Sequence, residues 1–122
     1  MTGRTNPPDL ADFTGRWMSS GELENLPSLR SPFGQGHVNA DLTSLSWLAL
    51  PPAVVGYHTG VLRVEGEVRT AGQFRWMPWG VQRRSESPRL PIETDVRFAT
   101  GEPAILWRTT VTNRSSVTRT VT

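Results

Sequence analysis

Cysteine is absent from the 122 residues, which removes disulfides, thiolate nucleophiles and Cys-ligated zinc together and leaves the redox compartment open. Lysine is missing too, since all 13 basic residues are arginine, and this explains a pI near 10.4 beside a formal net charge of only +2. Long apolar runs are also lacking. Nothing approaches the roughly 18 apolar residues of a membrane helix, and the N-terminus holds no secretory core, so the chain reads as soluble and cytoplasmic. Basic residues never run beyond Arg83-Arg84, and 11 carboxylates are interspersed among them, so no phosphate-tracking stripe for nucleic acid is expected. No amphipathic stretch reaches helical length.

What is present is β texture. At this length one domain with one core is expected. Residues 1–36 are rich in Gly, Pro, Ser, Asp and Asn and read as a loop-rich arm laid across that core. Its first residues are expected to be disordered, and a short helix is expected over 21–26, capped by Ser20 and stopped by Pro27. From His37 onward, short apolar or alternating runs broken by Gly and Pro predict six or seven antiparallel strands. Over 61–69, Leu62, Val64, Gly66 and Val68 alternate with Arg63, Glu65, Glu67 and Arg69, giving one strand with a buried and a wet face. Residues 92–98 repeat the pattern, and the complementary charges suggest that these two strands are neighbours. Residues 44–50 are nearly all apolar, read as buried on both sides, and end at Pro51-Pro52; another strand follows over 53–58. Residues 73–82 read as one edge strand, bulged at Met77-Pro78 because proline cannot donate to a ladder.

The C-terminal stretch reads as a hairpin: a strand over 104–112, a polar turn at 113–116 and a second strand over 117–122. In the first strand Leu106 breaks an otherwise polar face and implies partial cover there. Burying Ile105, Leu106 and Val111 at about 1.5–3 kcal/mol each outweighs any surface ion pair at below about 1 kcal/mol. The second strand runs to the last residue without a closing turn. It is therefore read as an exposed sheet edge awaiting a partner, or as the cut end of a longer chain.

Chemistry is sparse. The pairs Glu65/Glu67 and Glu93/Asp95 each project from one strand face, as paired glycosidase carboxylates would, but flanking arginines favour a solvated, ion-paired surface. His37 and His58 have no second ligand at a metal-site spacing, and no metal or cofactor is expected. Gly34-Gln35-Gly36 opens like a dinucleotide fingerprint, yet Asn39 stands where its third glycine belongs. Asn113-Arg114-Ser115 reads as a turn rather than a glycosylation site. The best binding candidate is Trp76-Met-Pro-Trp79 with Arg75 and Arg83: indoles stack on sugar faces and guanidinium groups bond hydroxyls or carboxylates. Core packing with an edge bulge is the competing reading, because large aromatics are mostly buried.

Residues 94–122, with a Gly-Glu-Pro turn, an apolar strand, a Thr-Asn-Arg-Ser turn and a closing Arg-Thr-Val, resemble paired strands in a known family. These are the N-terminal β-sandwich domains of bacterial glycoside hydrolases with an (α/α)-barrel catalytic part, the glucoamylase-like and glycogen-debranching-like enzymes. The resemblance implies an all-β antiparallel sandwich over 37–122 that packs on a catalytic domain this chain lacks. In that family the catalytic carboxylates belong to the barrel, so no catalytic residue transfers. The expected function is that of a non-catalytic accessory domain, shaping a sugar-processing site and binding oligosaccharide through Trp76, Trp79, Arg75 and Arg83. The other expectation is a protein-interaction module that recruits a partner or a second copy through its last strand.

Overall fold

The computed structural model describes residues 15–20 and 26–122. The helix expected over 21–26 falls, save Leu26, outside the described residues, as do the first residues of the arm. In chain order the strands are β1 (Met18–Ser19), β2 (Ser28–Ser31), β3 (Gly34–Val38), β4 (Leu45–Leu50), β5 (Ala53–Thr59) and β6 (Arg63–Val64). They continue with β7 (Glu67–Val68), β8 (Gln73–Met77), β9 (Gly80–Arg84), β10 (Ile92–Phe98) and β11 (Ile105–Val111). The fold is all-β and antiparallel, as expected. A five-stranded sheet in the order β1-β8-β9-β10-β11 faces a four-stranded sheet in the order β2-β3-β4-β5, with β6-β7 as a separate ribbon. The loop-rich arm thus supplies an edge strand to each sheet, and Leu29 of β2 is fully buried.

Strand alternation sends one side of each sheet inward. Leu29, Val38, Leu45 and Leu48 from the smaller sheet meet Phe74, Val81, Ile92, Val96 and Phe98 from the larger one. The core also takes in Leu42 from the connection between β3 and β4, and Trp76, Ile105, Trp107 and Val111 pack against it. No helix among the described residues is long and apolar enough to cross a membrane.

Three expectations are corrected by turns and pairing. Residues 61–69 are not one strand but a tight hairpin, because Glu65 and Gly66 both take positive φ, 52° and 82°, as a two-residue hairpin turn with right-handed strand twist requires. Nor does this ribbon neighbour β10, which lies between β9 and β11. Residues 73–82 are likewise two strands, reversed at Pro78-Trp79 with Met77 opposite Gly80; proline ends β8 rather than bulging it. Leu106 is 55% exposed, so no described residue covers the outer face of β11 at that point. Residues 44–50 are also less enclosed than expected, with Ser46, Trp47, Ala49 and Leu50 only half-buried.

The C-terminal hairpin does not form. The polar turn does, as Asn113 Oδ1 accepts from the Ser115 amide at 3.0 Å and Asn113 Nδ2 donates to the Val117 carbonyl at 2.8 Å. Beyond it the chain leaves β11 and runs to the ribbon, where Val121 bridges Val64. Backbone bonds join Arg63 to Thr122 in both directions, at 2.7 and 2.9 Å, and the Glu65 amide to the Thr120 carbonyl at 2.8 Å. The last segment is therefore paired with the ribbon and not with β11, which is a terminal strand of the larger sheet.

The connection over 39–44 is held by side chains reaching across from the larger sheet. Arg83 Nη1 donates to the carbonyls of Asn39, Asp41 and Ser44 at 3.1, 3.0 and 2.9 Å. Thr94 Oγ1 donates to the Leu42 carbonyl, and Trp107 Nε1 to that of Thr43 at 3.0 Å. The Ala71 amide takes the carbonyl of Ala40 at 3.0 Å. Each carbonyl of this irregular segment, buried over 41–44, thus finds a donor, as a low-dielectric interior demands.

Candidate functional site

The inward alternation that builds the core leaves the other side of the five-stranded sheet polar. Register aligns Arg75, Gln82, Asp95 and Arg108 in one row across β8, β9, β10 and β11. A second row runs Gln73, Arg84, Glu93 and Thr110. Same-face neighbours along a strand are about 6.6 Å apart, so the two rows form a grid on the scale of a sugar ring.

Bonds within the grid fix its geometry. Asp95 is 8% exposed; its Oδ1 accepts from Arg97 Nε at 2.9 Å, and its Oδ2 accepts from Arg97 Nη2 and from Arg108 Nη2 at 3.3 Å. Arg84 Nε donates to Gln73 Oε1, and its guanidinium lies 4.0 Å from the ring centre of Trp17, a cation–π contact. Trp17 thereby stands over the sheet and walls a cavity of about 210 Å³ lined by Gln82, Glu93, Asp95, Arg108 and Thr110. Across the strands, donor-bearing side chains of β9 and β11 flank the two carboxylates of β10, with one indole alongside.

The expected sugar-binding residues do not converge. Arg75 lies on the polar face, its Nε donating to the Gly15 carbonyl at 3.1 Å. Trp76 faces inward instead, packs on the core and donates from Nε1 to the Ser28 carbonyl at 3.0 Å. Trp79 sits half-buried in the β8–β9 turn. Arg83, opposite Phe74 in the register, points into the sandwich and is fully buried. Its Nε and Nη2 have no partner among the described residues, and Asp41 Oδ1 lies 3.6 Å from Nη1. Burial pushes its pKa down to about 10, with the Asp41 charge opposing the shift.

Of the paired carboxylates, Glu93 and Asp95 stay together on one face of β10 and line the cavity walled by Trp17, whereas Glu65 and Glu67 part. Glu65 sits in the ribbon turn and accepts from Arg119 Nη1 at 3.1 and 3.0 Å, whereas Glu67 is exposed on β7. His37 Nδ1 lies 3.2 Å from Ser28 Oγ and His58 Nδ1 lies 3.3 Å from Asn39 Nδ2. Among the described residues no three His, Cys, Asp or Glu side chains gather as a metal ion would need.

Sequence reasoning missed Trp17, Gln82, Arg108 and Thr110. The wet alternation of β10 and β11 was visible, but the indole over it comes from a distant, loop-like stretch with no periodicity of its own. The fold and this face define an all-β sandwich-like chain with one open, polar sheet surface. Comparison with protein-family models, with curated proteins and with solved structures finds no match.

Proposed function

We propose that this chain is a non-catalytic β-sandwich module that binds carbohydrate on the outer face of its five-stranded sheet and packs against or shapes a sugar-processing site. The observation that carries this reading is the ordered grid of Gln82, Glu93, Asp95, Arg108 and Thr110 walled by Trp17. Adjacent donors and acceptors match vicinal hydroxyls, and an indole offers a stacking surface. Both oxygens of Asp95 already accept guanidinium bonds, which suits a fixed binding surface better than a group that must exchange protons during turnover.

Titration with soluble oligosaccharides, followed by the indole and amide resonances of Trp17 and Gln82, tests the reading. Saturable shifts at millimolar sugar are expected, and Trp17→Ala should weaken binding by about tenfold, roughly 1.4 kcal/mol. Unmoved resonances at millimolar sugar would refute direct binding.

A second reading rests on β11. Among the described residues this strand of 7 residues has a neighbour on one side only, and it carries Leu106 exposed, so a strand from a partner or a second copy could extend the sheet there. Sedimentation at high concentration should then show a dimer that Leu106→Lys dissociates. A strictly monomeric chain would exclude self-pairing at this edge.

A further inference from the structure

The cavity beneath the 85–92 loop lies apart from the polar sheet face and has an unbalanced charge. About 360 Å³ in volume, it is lined by Arg69, Arg89 and Arg119 together with Ser85 and Ser87, over a floor that includes Leu90 and Ile92. Three chain segments far apart in sequence bring these arginines together: the exit from the ribbon, the β9–β10 loop and the C-terminal segment.

Of the three, only Arg119 has an ion-pair partner among the described residues, and that is Glu65. Its Nη1 makes both bonds to that carboxylate, while its Nε is buried and has no partner among the described residues. Arg69 and Arg89 join no ion pair among the described residues. The lining thus carries three guanidinium groups and no carboxylate, with Glu65 set against Arg119 alone, an excess of positive charge that favours an anion.

The loop is held in shape before any ligand arrives. Ser85 Oγ accepts from the Ile92 amide at 2.9 Å, and the Ser85 amide donates to the Ile92 carbonyl at 2.9 Å. Ser87 Oγ accepts from the Leu90 amide at 3.3 Å, which leaves its hydroxyl proton available. The carbonyls of Arg89 and Pro91 are tied to the amides of Arg114 and Thr112 at 2.9 and 3.0 Å. Leu90 and Ile92 are 8% and 1% exposed and make a firm apolar floor.

Arginine forks match the oxygens of tetrahedral oxyanions, and a serine hydroxyl adds a neutral donor. We propose that this cavity binds a phosphate or sulfate group, with the apolar floor taking the carbon part when the group is an ester. The site is independent of the carbohydrate face.

The test uses the full chain and three probes: inorganic phosphate, inorganic sulfate and glucose 6-phosphate, each against sodium chloride at equal ionic strength. The readout is the Nε–H resonance of Arg119 together with the amides of Ser87 and Leu90. Saturable shifts that chloride does not reproduce, weakened at least tenfold by the surface variant Arg89→Gln and again by Arg69→Gln, are the expected result. Equal affinity for inorganic phosphate and the sugar phosphate would assign the site to the free anion; tighter binding of the ester would assign it to a phosphorylated ligand. Shifts that chloride reproduces, or that both variants leave unchanged, would overturn the proposal. Loss of oligosaccharide binding in Trp17→Ala would leave this result untouched, so the two sites fail or stand separately.

Discussion

Replacing Arg83 with methionine should lower stability by about 3–5 kcal/mol, the usual cost of removing one partner from a buried charged network. At roughly 4 °C per kcal/mol the melting temperature falls by about 12–20 °C. Similar volume does not rescue the variant, because the carbonyls of Asn39, Asp41 and Ser44 stay buried where Arg83 Nη1 met them. An apolar triad can replace buried ions when every member is a side chain. Here most partners are backbone and cannot be substituted away. Arg83→Lys is expected to be milder, since an ammonium offers three donors to three carbonyls and has no counterpart to the orphaned Nε and Nη2. Denaturant unfolding of both variants checks the order; equal losses would mean that side-chain packing, not the carbonyl contacts, holds the 39–44 connection.

The same residue fixes a pH dependence. Its folded-state pKa is lowered by burial to about 10, below that of the unfolded chain. Below pH 10 both states hold the proton, so this group contributes no slope. Above it the unfolded chain binds more protons than the folded one, and the contribution of Arg83 to stability rises with pH. Subtracting the unfolding free energy of Arg83→Met from that of the parent should give a difference with no slope from this group near neutrality, then an upward bend in the parent's favour above pH 10.

How far the fold was legible follows from the range of each interaction. β10 and β11 are readable because their alternation runs over 7 residues, and β4 and β5 because Pro51-Pro52 separates two apolar runs. The ribbon escapes sequence reading since Glu65-Gly66 keeps the period of two while reversing the chain, and glutamate is not a usual residue for positive φ. The terminal Val-Thr pattern announces pairing but not its partner, which is Val64, far away in sequence. Arg83 reads as a surface ligand because a charged side chain is rarely interior. Its alternation with Gln82 and Arg84 already requires one of these neighbours to point inward. What no local pattern could supply is the cluster of carbonyls that makes its burial tolerable.

A second large effect is expected where Gly60, Thr43 and Trp107 meet. Gly60 has φ of 79°, and a Cβ there would lie 2.7 Å from Trp107 Nε1 and 2.9 Å from Cε2. Thr43 locks this junction: its Oγ1 donates to the Gly60 carbonyl at 2.6 Å and accepts from the Leu62 amide at 3.0 Å, while its own carbonyl takes the indole N–H. Gly60→Ala therefore incurs two costs, about 1–2 kcal/mol for a left-handed backbone and a further 1–3 kcal/mol for displacing a packed ring. Trp107→Ala alone should cost about 3 kcal/mol or more, through lost core contact and an unpaired Thr43 carbonyl. In the double variant the ring is gone and only the backbone cost of Gly60→Ala remains, so the pair should fall short of additivity by about 1–3 kcal/mol. Additivity to within about 0.5 kcal/mol would show that the ring yields freely, and that backbone conformation alone requires glycine at the joint between β5 and the ribbon.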